Sequence, residues 1–440
     1  MRLKTFRGGA HVPHFKELTA TKPIRDARLP AKVVVALHQH TGAPCEALVK
    51  VGDHVKVGQK IGDSKAALTA PVHAPVSGKV VDIAPYPQSG GREVVSIVIE
   101  SDGLQEVADT VRPKGELDGL SQGDLREIIR EAGIVGLGGA AFPTYFKLTP
   151  PPGKSFDTLI INGSECEPYL TADQRLMMER PEDAIFGTRV LMKAAGVSRA
   201  FIGIEENKPE AIEAMQKAAE RHSGIEIVPL AAKYPQGAEK QLIKAIVNRE
   251  VPCGGLPVDV GVIVNNVGTA VAVGEAISTG MPLVERVVTV TGSPVKEPSN
   301  LKVKIGTLVS DLVEECEGFA SEPAKVIIGG PMMGVAQFTM DIPVTKGTSG
   351  VLFLTIDEVS LEEPLPCVRC GKCVENCPMH LLPLFISQYA DAGRFDEAAE
   401  YGAMDCIECG SCSFICPSRR HLVQSIRLAK AEIAARRRKK

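Results

Sequence analysis

Between residues 30 and 100, hydrophobic residues come in short runs, rich in valine and isoleucine, that turn residues interrupt. The runs are Lys32–Leu37, Gly58–Ile61, Gly78–Ile83 and Val94–Ile99. Short strands with frequent turns are typical of a small β-barrel or β-sandwich. The residues before them, 1–29, form a basic arm that contains two prolines.

A different pattern follows a polar linker at residues 101–120 and extends over residues 121–286. It begins with an amphipathic segment, Asp124–Ala132, whose apolar residues recur at helical spacing. Buried-type strands then alternate with helical stretches. The predicted strands are Thr158–Ile161, Ala200–Ile204 and Val260–Val264, and the predicted helices are Pro209–Arg221 and Glu239–Val247. This alternation predicts an α/β domain with mainly parallel strands.

Residues 287–345 return to β-type runs, at Val287–Gly292 and Lys325–Pro331, with a helix predicted near Leu308–Cys316. The chain ends, at residues 418–440, with a basic amphipathic segment. Its apolar stripe is Leu422, Ile426, Ala429 and Ile433, and its last five residues are all basic. One interpretation is a solvated tail, but we expect a helix whose stripe and charges help to dock the protein on a membrane complex.

Composition narrows the possible functions. The 440 residues carry a net charge of −3, 4% aromatic residues and no tryptophan, which argues against nucleic-acid binding. The N-terminal residues lack the apolar run of a signal peptide, and no stretch is apolar enough for a transmembrane helix. The protein is expected to be soluble or peripheral to a membrane.

Eight of the 12 cysteines lie in two near-identical runs, each reading C-x2-C-x2-C-x3-C-P. This is the pattern of bacterial two-cluster [4Fe–4S] ferredoxins, in which the fourth cysteine of each run ligates the other cluster. Residues 360–417 are therefore predicted to form a two-cluster domain. One cluster is assigned to Cys367, Cys370, Cys373 and Cys416, and the other to Cys406, Cys409, Cys412 and Cys377. Zinc and disulfides fit less well, because a zinc site needs only four ligands and disulfides need an oxidising compartment.

Each predicted strand of the α/β domain is followed directly by a polar cluster. The clusters are Asn162–Pro168, Glu205–Pro209 and Asn265–Thr269. Because ligands of open α/β sheets bind beyond the carboxyl ends of strands, these clusters predict a cofactor pocket. The glycine-rich loop Gly136–Thr144 is a candidate fourth wall, although it follows a helix and so is no Rossmann fingerprint. Each segment alone is equally compatible with a helix cap or a turn.

The first two domains each resemble a known protein family. The segments Val49–Gln59 and Ala74–Val80 resemble a lipoyl or biotinyl carrier module. The only candidate for its modified lysine, Lys65, is out of register, so a carrier-like scaffold is expected. The segments Gly136–Lys147, Asn162–Pro168 and Asn265–Thr269 resemble, in order, the FMN- and NADH-binding motifs of the flavoprotein subunit of respiratory complex I. The chain departs from those motifs at Leu137, Ala141, Ser164, Cys166 and Gly268.

The second resemblance implies non-covalent FMN and an NAD(H) site. The implied cofactor-binding residues are Gly136, Gly138, Gly139, Lys147, Asn162, Ser164, Glu165, Asn265, Asn266 and Thr269. Lys147 would lie near the FMN phosphate, and Glu165 and Glu167 would orient the nicotinamide. A flavin joins two-electron hydride chemistry to one-electron clusters, so the expected route is NADH, FMN, cluster, cluster and partner.

Residues 287–345 resemble the β-grasp (SLBB) domain of the same family. The full order, with a carrier-like barrel, a flavin fold, a β-grasp and a two-cluster ferredoxin domain, resembles the C subunits of Rnf electron-transport complexes. That family implies a peripheral subunit at the cytoplasmic face of the inner membrane. It implies membrane-embedded and iron–sulfur partner subunits, a link to ferredoxin, and Na⁺ or H⁺ translocation. The alternatives are a non-catalytic iron–sulfur wire with a vestigial flavin fold, and a soluble NADH-dependent reductase with its own substrate.

Overall fold

The computed structural model describes residues 3–439, which form four domains in chain order. The strands are β1 (Ile24–Asp26), β2 (Lys32–Ala36), β3 (Glu46–Ala47), β4 (His54–Val55), β5 (Lys60–Asp63), β6 (Val72–His73), β7 (Gly78–Gln88), β8 (Arg92–Ser101), β9 (Thr158–Asn162), β10 (Ala200–Glu205), β11 (Ile225–Leu230), β12 (Val262–Asn266), β13 (Glu285–Thr291), β14 (Ser299–Lys304), β15 (Lys325–Ile328), β16 (Val335–Gln337) and β17 (Gly350–Leu354). The helices are α1 (Gln122–Glu131), α2 (Thr144–Lys147), α3 (Ala172–Glu179), α4 (Pro181–Ala195), α5 (Pro209–Ala219), α6 (Glu239–Val247), α7 (Val267–Ser278), α8 (Val309–Glu315), α9 (Lys372–Glu375), α10 (Pro383–Asp391), α11 (Phe395–Glu400), α12 (Ser411–Phe414) and α13 (Leu422–Lys439).

The first domain is the predicted barrel-sandwich. An antiparallel sheet in the order β2-β8-β7-β4 faces a smaller sheet in the order β3-β5-β6. Val33, Ile61, Val80 and Ile99 are fully buried in the core between them. Alternate residues of short strands point to opposite faces, so each sheet gives one apolar face to this core. Lys65 lies exposed in the connection between β5 and β6.

The second domain is the predicted parallel α/β layer, in the strand order β11-β10-β9-β12. Successive side chains of one strand enter different cores: Leu159 and Ile161 join the core that contains α4 and α7, whereas Ile160 joins the core that contains α6. Both faces of the sheet are therefore covered, as parallel sheets require. Strand β11, with its internal proline, was not among the predicted strands.

The third domain is a sheet in the order β1-β14-β13-β17-β15-β16, and it corrects two predicted boundaries. Strand β17 lies in the middle of this sheet, so the domain extends to Leu354 rather than ending at residue 345. Strand β1 comes from the N-terminal arm and pairs in parallel with β14. The end of the predicted arm, Ile24–Asp26, is thus an edge strand of the third domain's sheet.

The fourth domain holds the cysteine runs, and the packing of its last helix, α13, contradicts the docking role expected for the apolar stripe. The stripe Leu422, Ile426, Ala429 and Ile433 is buried, with each side chain at most 5% exposed. Ile426, Ala429 and Ile433 pack against α10 and α11, and on another side of α13 Arg427 and Lys430 bind Glu408. The stripe is consequently the core of this domain and is not available to dock on a partner.

Candidate functional site

The carboxyl ends of β10, β9 and β12 lie side by side, because these strands are neighbours and parallel. The predicted polar clusters that follow them therefore meet at one edge of the sheet. The Asn162 amide stabilises the first of them: its Nδ2 donates to the Gly237 carbonyl at 2.8 Å, and its Oδ1 accepts from the Ser164 N–H at 3.1 Å. Asn162 thus shapes the turn that leaves β9.

The glycine-rich loop closes on the same edge. Its Leu137 N–H donates to Thr269 Oγ1 at 2.9 Å, which ties the loop to the first turn of α7. A Cβ added at Gly138 would lie 3.4 Å from the Cβ of Asn266. Gly139 has a left-handed φ of +112°, and among the described residues no atom lies within 4 Å of the position of an added Cβ. The loop backbone can accordingly approach a flat ligand closely at Gly139.

Several buried polar atoms at this edge have no hydrogen-bond partner among the described residues. Three of them, Ser164 Oγ, Asn265 Nδ2 and Thr144 Oγ1, each belong to a different one of the three segments that resemble flavin-binding motifs. An unpartnered buried polar group costs free energy, so such groups usually serve a ligand or an ordered water. The donors and the open glycine backbone fit a polar, planar cofactor such as FMN.

The two predicted catalytic glutamates bind backbone amides. Glu165 accepts from the N–H groups of Asp173 and Gln174, at 2.7 and 3.1 Å, and so caps the start of α3. Glu167 accepts from the N–H groups of Met332 and Met333, at 3.1 and 2.8 Å. Burial raises the pKa of Glu167, although these two N–H groups oppose the shift. Both carboxylates hold loops together, and their action on a nicotinamide stays a prediction.

Two other predicted residues also have partners within the chain. Lys147, expected beside a phosphate, forms an ion pair with Glu239 at the first turn of α6. Asn266 caps α7 by accepting from the Gly268 N–H at 2.8 Å, and its Nδ2 donates to Asp173 Oδ2 at 2.6 Å. Burial, followed by the neighbouring Glu165 carboxylate, raises the pKa of Asp173 to about 7. The charged form of Asp173 is therefore disfavoured at the edge of the site.

Arg286 supports the site but was not predicted from the sequence. It is 7% exposed, and its Nη2 donates to the Leu137 carbonyl at 3.2 Å and to the Thr348 carbonyl at 3.0 Å. Burial lowers its pKa to about 10. Arg286 thereby joins the glycine-rich loop to the third domain. Its basic side chain, directly before the β-branched run Val287–Thr291, was the available signal.

The eight cysteines of the two runs surround two separate cavities. The inner set, Cys377, Cys406, Cys409 and Cys412, lines one cavity, and the outer set, Cys367, Cys370, Cys373 and Cys416, lines the other. Each set combines three cysteines of one run with the last cysteine of the other run. This grouping is the one expected of two cubane clusters that exchange their fourth ligands. Within residues 3–439, no group of three or more His, Cys, Asp or Glu side chains has the arrangement of a site for a single metal ion.

The two cysteine loops have the same backbone form. Arg369 and Gly371 adopt left-handed φ angles of 55° and 78°, and Glu408 and Gly410 adopt 57° and 81°. These kinks direct backbone N–H groups toward sulfur: the Arg369 N–H lies 3.4 Å from Cys367 Sγ, and the Glu408 N–H lies 3.3 Å from Cys406 Sγ. Such N–H groups stabilise thiolate ligands and tune a cluster.

The two sets differ in their surroundings. The inner set faces the α/β domain: the Tyr234 hydroxyl donates to the Cys409 carbonyl at 2.7 Å, and Gln241 Nε2 donates to the Pro378 carbonyl at 3.1 Å. In the outer set, Cys367 and Cys370 are exposed to solvent. The inner cavity is thus next to the strand-end site, and the outer cavity is at the surface.

Family models match each of the four domains. They are the RnfC barrel sandwich hybrid domain at residues 4–104, the Nuo51 FMN-binding domain at 129–275, the SLBB domain at 287–336 and the 4Fe-4S dicluster domain at 360–417. The predicted fold class is confirmed. FMN and [4Fe–4S] clusters are confirmed as the cofactor classes of these domains.

Relatives match over the whole chain. The C subunit of the Na⁺-translocating ferredoxin:NAD⁺ oxidoreductase complex of Acetobacterium woodii is 50% identical over 435 residues, which cover 99% of this chain and 98% of that protein. This chain belongs to that family of C subunits. The proton-translocating counterpart of Clostridium ljungdahlii is also 50% identical, over 98% of this chain and 94% of that protein. The C subunit of the ion-translocating oxidoreductase complex of Rhodobacter capsulatus is 42% identical, over 99% of this chain and 84% of that protein.

The C-subunit family was the one expected from the sequence, and the expectation is confirmed. Those relatives are named as subunits of ion-translocating oxidoreductase complexes, and the FMN-binding and dicluster domains of this chain are those of an electron-transfer protein. An NAD⁺-reducing [NiFe]-hydrogenase shares the fold, with a TM-score of 0.50 and 18% identity over 75% of this chain and 72% of that chain. In the part of the chain that the structure describes, no helix is both long and apolar enough to cross a membrane.

Proposed function

We propose that this protein exchanges electrons between NAD(H) and the other subunits of its complex. The observation that supports the proposal is the contact at Tyr234. Its hydroxyl donates to the Cys409 carbonyl of the inner set and lies 3.4 Å from Glu167 Oε1, in the segment that follows β9. The flavin-type site and the inner cysteine set therefore share one buried side chain.

The residues of the site would bind and orient the cofactors. The glycine-rich loop offers bare backbone to a flat ring, and Ser164, Asn265 and Thr144 offer unpartnered polar atoms. Two sets of four thiols would each hold one cubane. When bound, a flavin converts the hydride pair of a nicotinamide into the single electrons that clusters carry. The chain itself needs no acid or base for this exchange.

The two cysteine sets are proposed to act in a fixed order. The inner set is enclosed by the α/β domain and the fourth domain, whereas Cys367 and Cys370 of the outer set reach the surface. All residues from 361 to 370 are exposed, and Leu365 and Val368 keep 58% and 68% of their surface in contact with solvent. An exposed segment that carries several apolar side chains beside a cluster site suits a partner protein. The outer set is therefore the proposed exit to the next subunit.

Purified protein tests this proposal against the non-catalytic wire. After anaerobic preparation we expect about eight iron and about one FMN per chain, with bleaching of the flavin band at roughly 450 nm on addition of NADH. Replacing Asn265 by alanine should lower the flavin content and leave the iron content unchanged, because Asn265 Nδ2 is buried without a partner among the described residues. Flavin and iron assays and absorption spectra are the measurements.

The control is Gln216→Ala, which removes an exposed amide from α5. This variant should retain wild-type flavin and iron. Full iron occupancy with no flavin, in a gentle anaerobic preparation of the unaltered chain, would support the wire instead. A chain that binds flavin and reacts with NADH without associating with any membrane partner would support a soluble reductase.

The attachment of the subunit to its complex is also part of the proposal. The relatives' names place them in ion-translocating complexes, and we infer peripheral attachment of this subunit at the cytoplasmic membrane face, beside membrane-embedded and iron–sulfur subunits. Because the stripe of α13 is internal, the remaining candidates for attachment are its basic end and the exposed segment 361–370. Arg437 and Arg438 are exposed at that end. A basic residue near an anionic leaflet contributes roughly 1 kcal/mol.

Neutralising the basic end tests its part in attachment. Arg437→Gln combined with Arg438→Gln should release the subunit from isolated membranes at lower salt than the unaltered chain needs, with NADH-dependent flavin reduction unchanged. The matched control, Lys217→Gln with Arg221→Gln, removes two exposed charges from the α/β domain. Sedimentation over a salt series measures the effect. Equal release of the two double variants would assign attachment to the segment 361–370.

A further inference from the structure

The N-terminal arm places a buried lysine inside the turn that follows β9. Lys16 is 7% exposed, and its ammonium donates to the carbonyls of Glu165 and Glu167, at 2.9 and 3.0 Å, and to that of Leu170. A lysine ammonium has three donors, and here all three bind one turn. This turn, Glu165–Leu170, joins the predicted flavin contacts after β9 to helix α3. Lys16 therefore stabilises the backbone next to the candidate site.

Burying this charge is costly, and no direct ion pair offsets the cost. Among the described residues, the three hydrogen-bond partners of Lys16 Nζ are all backbone carbonyls, and none is a carboxylate. Burial, and then the nearby Lys208, lower its pKa to about 8, while Glu165 and Glu205 oppose the change. An apolar side chain would fill the space at a lower desolvation cost. The presence of a lysine here is therefore best explained by its hydrogen bonds to the turn Glu165–Leu170.

The turn it holds has a demanding conformation. Glu165 and Tyr169 both adopt left-handed φ angles, of 46° and 68°, which residues other than glycine rarely adopt. The arm contributes a second contact here, since the Tyr169 N–H donates to the His14 carbonyl at 2.8 Å and Phe15 stacks on the Tyr169 ring. Strain of this kind persists only where the surroundings impose it.

A few residues earlier, the same arm touches the inner cysteine set. The Gly9 N–H donates to the Asn376 carbonyl at 2.9 Å, and a Cβ on Gly8 would lie 2.7 Å from the Cys377 carbonyl oxygen. Between these points, Ala10 and Tyr234 exchange two backbone hydrogen bonds, of 2.7 and 2.9 Å. The arm thus passes from a cluster-ligand loop, across Tyr234, to the strand-end turn.

We propose that the segment Gly8–Lys16 is a strap that fixes the inner cysteine set and the strand-end site relative to each other, with Lys16 as the positioning residue of the strand-end site. The inference rests on the proposed function, since it assigns a flavin and nicotinamide to that site. Lys16 does not touch the reacting atoms. It acts through the turn Glu165–Leu170, whose carbonyls it binds.

Replacing Lys16 by methionine tests the strap in the full, cofactor-loaded chain. Methionine keeps the length and removes the charge and the donors. We expect faster hydrogen exchange in peptides that cover residues 165–170, a shifted flavin midpoint potential, and an apparent KM for NADH raised about tenfold with a smaller change in kcat. Iron content and the cluster EPR signals should stay at the level of the unaltered chain.

Lys22→Met is the matched control, because Lys22 lies on the same arm but its side chain is 40% exposed and pairs with Glu297 at the surface. It should change none of these readouts. If the Lys16→Met chain does not fold, Lys16→Gln, which keeps an uncharged donor, carries the same test with smaller shifts. Faster exchange without a change in potential or KM would overturn the positioning role, and so would identical behaviour of the Lys16 and Lys22 variants.

Failure of the proposed function has a different signature. A wild-type chain whose flavin is reduced by dithionite but not by NADH contradicts NAD(H) as the substrate. The flavin potential from the dithionite titration and the exchange of residues 165–170 still decide the strap in that case. Shifts in both on Lys16→Met would support it, and their absence would overturn it.

Discussion

Cys416→Ala should abolish the outer [4Fe–4S] signal and spare the inner one, although Cys416 lies in the second cysteine run. In the structure Cys416 lines the same cavity as Cys367, Cys370 and Cys373. Each iron of a cubane needs one thiolate, so the loss of this ligand exposes one iron of the outer cluster. Iron per chain should fall from about eight toward about four. EPR spectra of the reduced protein, with iron and sulfide analysis, measure the result.

Two further variants make the cross-ligation test specific. Cys412→Ala should remove the inner cluster and leave the outer one, because Cys412 lines the cavity of Cys377, Cys406 and Cys409. Cys253→Ala should leave both clusters, since Cys253 is exposed, lies outside both sets and bonds Asp405. An intact outer signal together with a lost inner signal in Cys416→Ala would refute the cross-ligated assignment.

The grouping of the eight cysteines around two cavities could be predicted because the spacing within each run is encoded locally. Three ligands at two-residue spacings define one loop, and the glycine after the second ligand, Gly371 or Gly410, supplies the left-handed kink that the loop needs. The sequence contains the whole run twice, and this repeat is what predicts that the fourth cysteine of each run ligates the cluster of the other run. The sequence had no signal for which set faces the α/β domain, because that depends on contacts such as Tyr234 with Cys409.

The strand-end site was predictable in position but not in detail. Parallel pairing brings the ends of β9, β10 and β12 together, and each polar cluster could be read from its place after an apolar run. The partners of individual side chains could not be read in this way. Glu165, Glu167 and Lys147 bind residues that tertiary packing supplies. Their acidic or basic character alone was compatible with a cofactor contact or a helix cap.

Residues that act across long sequence separations were missed. Lys16 meets the turn at Glu165 from 149 positions away, and nothing in the local pattern of the arm marks it as buried. Strand β17 was missed for a related reason. It lies between β13 and β15 in the sheet, although many residues separate it from β13 in the sequence. In each case the partner is supplied by topology, which hydrophobic periodicity does not encode.

The apolar stripe of α13 was recognised by its period, but its partner was misassigned. Periodicity says that one face of a helix is buried and does not say against what. Replacing Ile426 by aspartate should therefore damage the chain's own cluster domain. Ile426 is 1% exposed among the apolar side chains of α10 and α11, and an unpaired carboxylate there costs on the order of 3–5 kcal/mol. That is comparable to the whole stability of a small domain.

We expect Ile426→Asp to lose both clusters and to retain a flavin-binding α/β domain, as measured by iron content, flavin content and thermal unfolding. The matched control is Leu428→Asp on the same helix, because Leu428 is 49% exposed and its replacement removes little buried surface. This control should keep both clusters and unfold at nearly the same temperature as the unaltered chain. Full cluster content in Ile426→Asp, combined with loss of membrane association, would return the stripe to a docking role, since a face that tolerates a charge is not the core of its own domain.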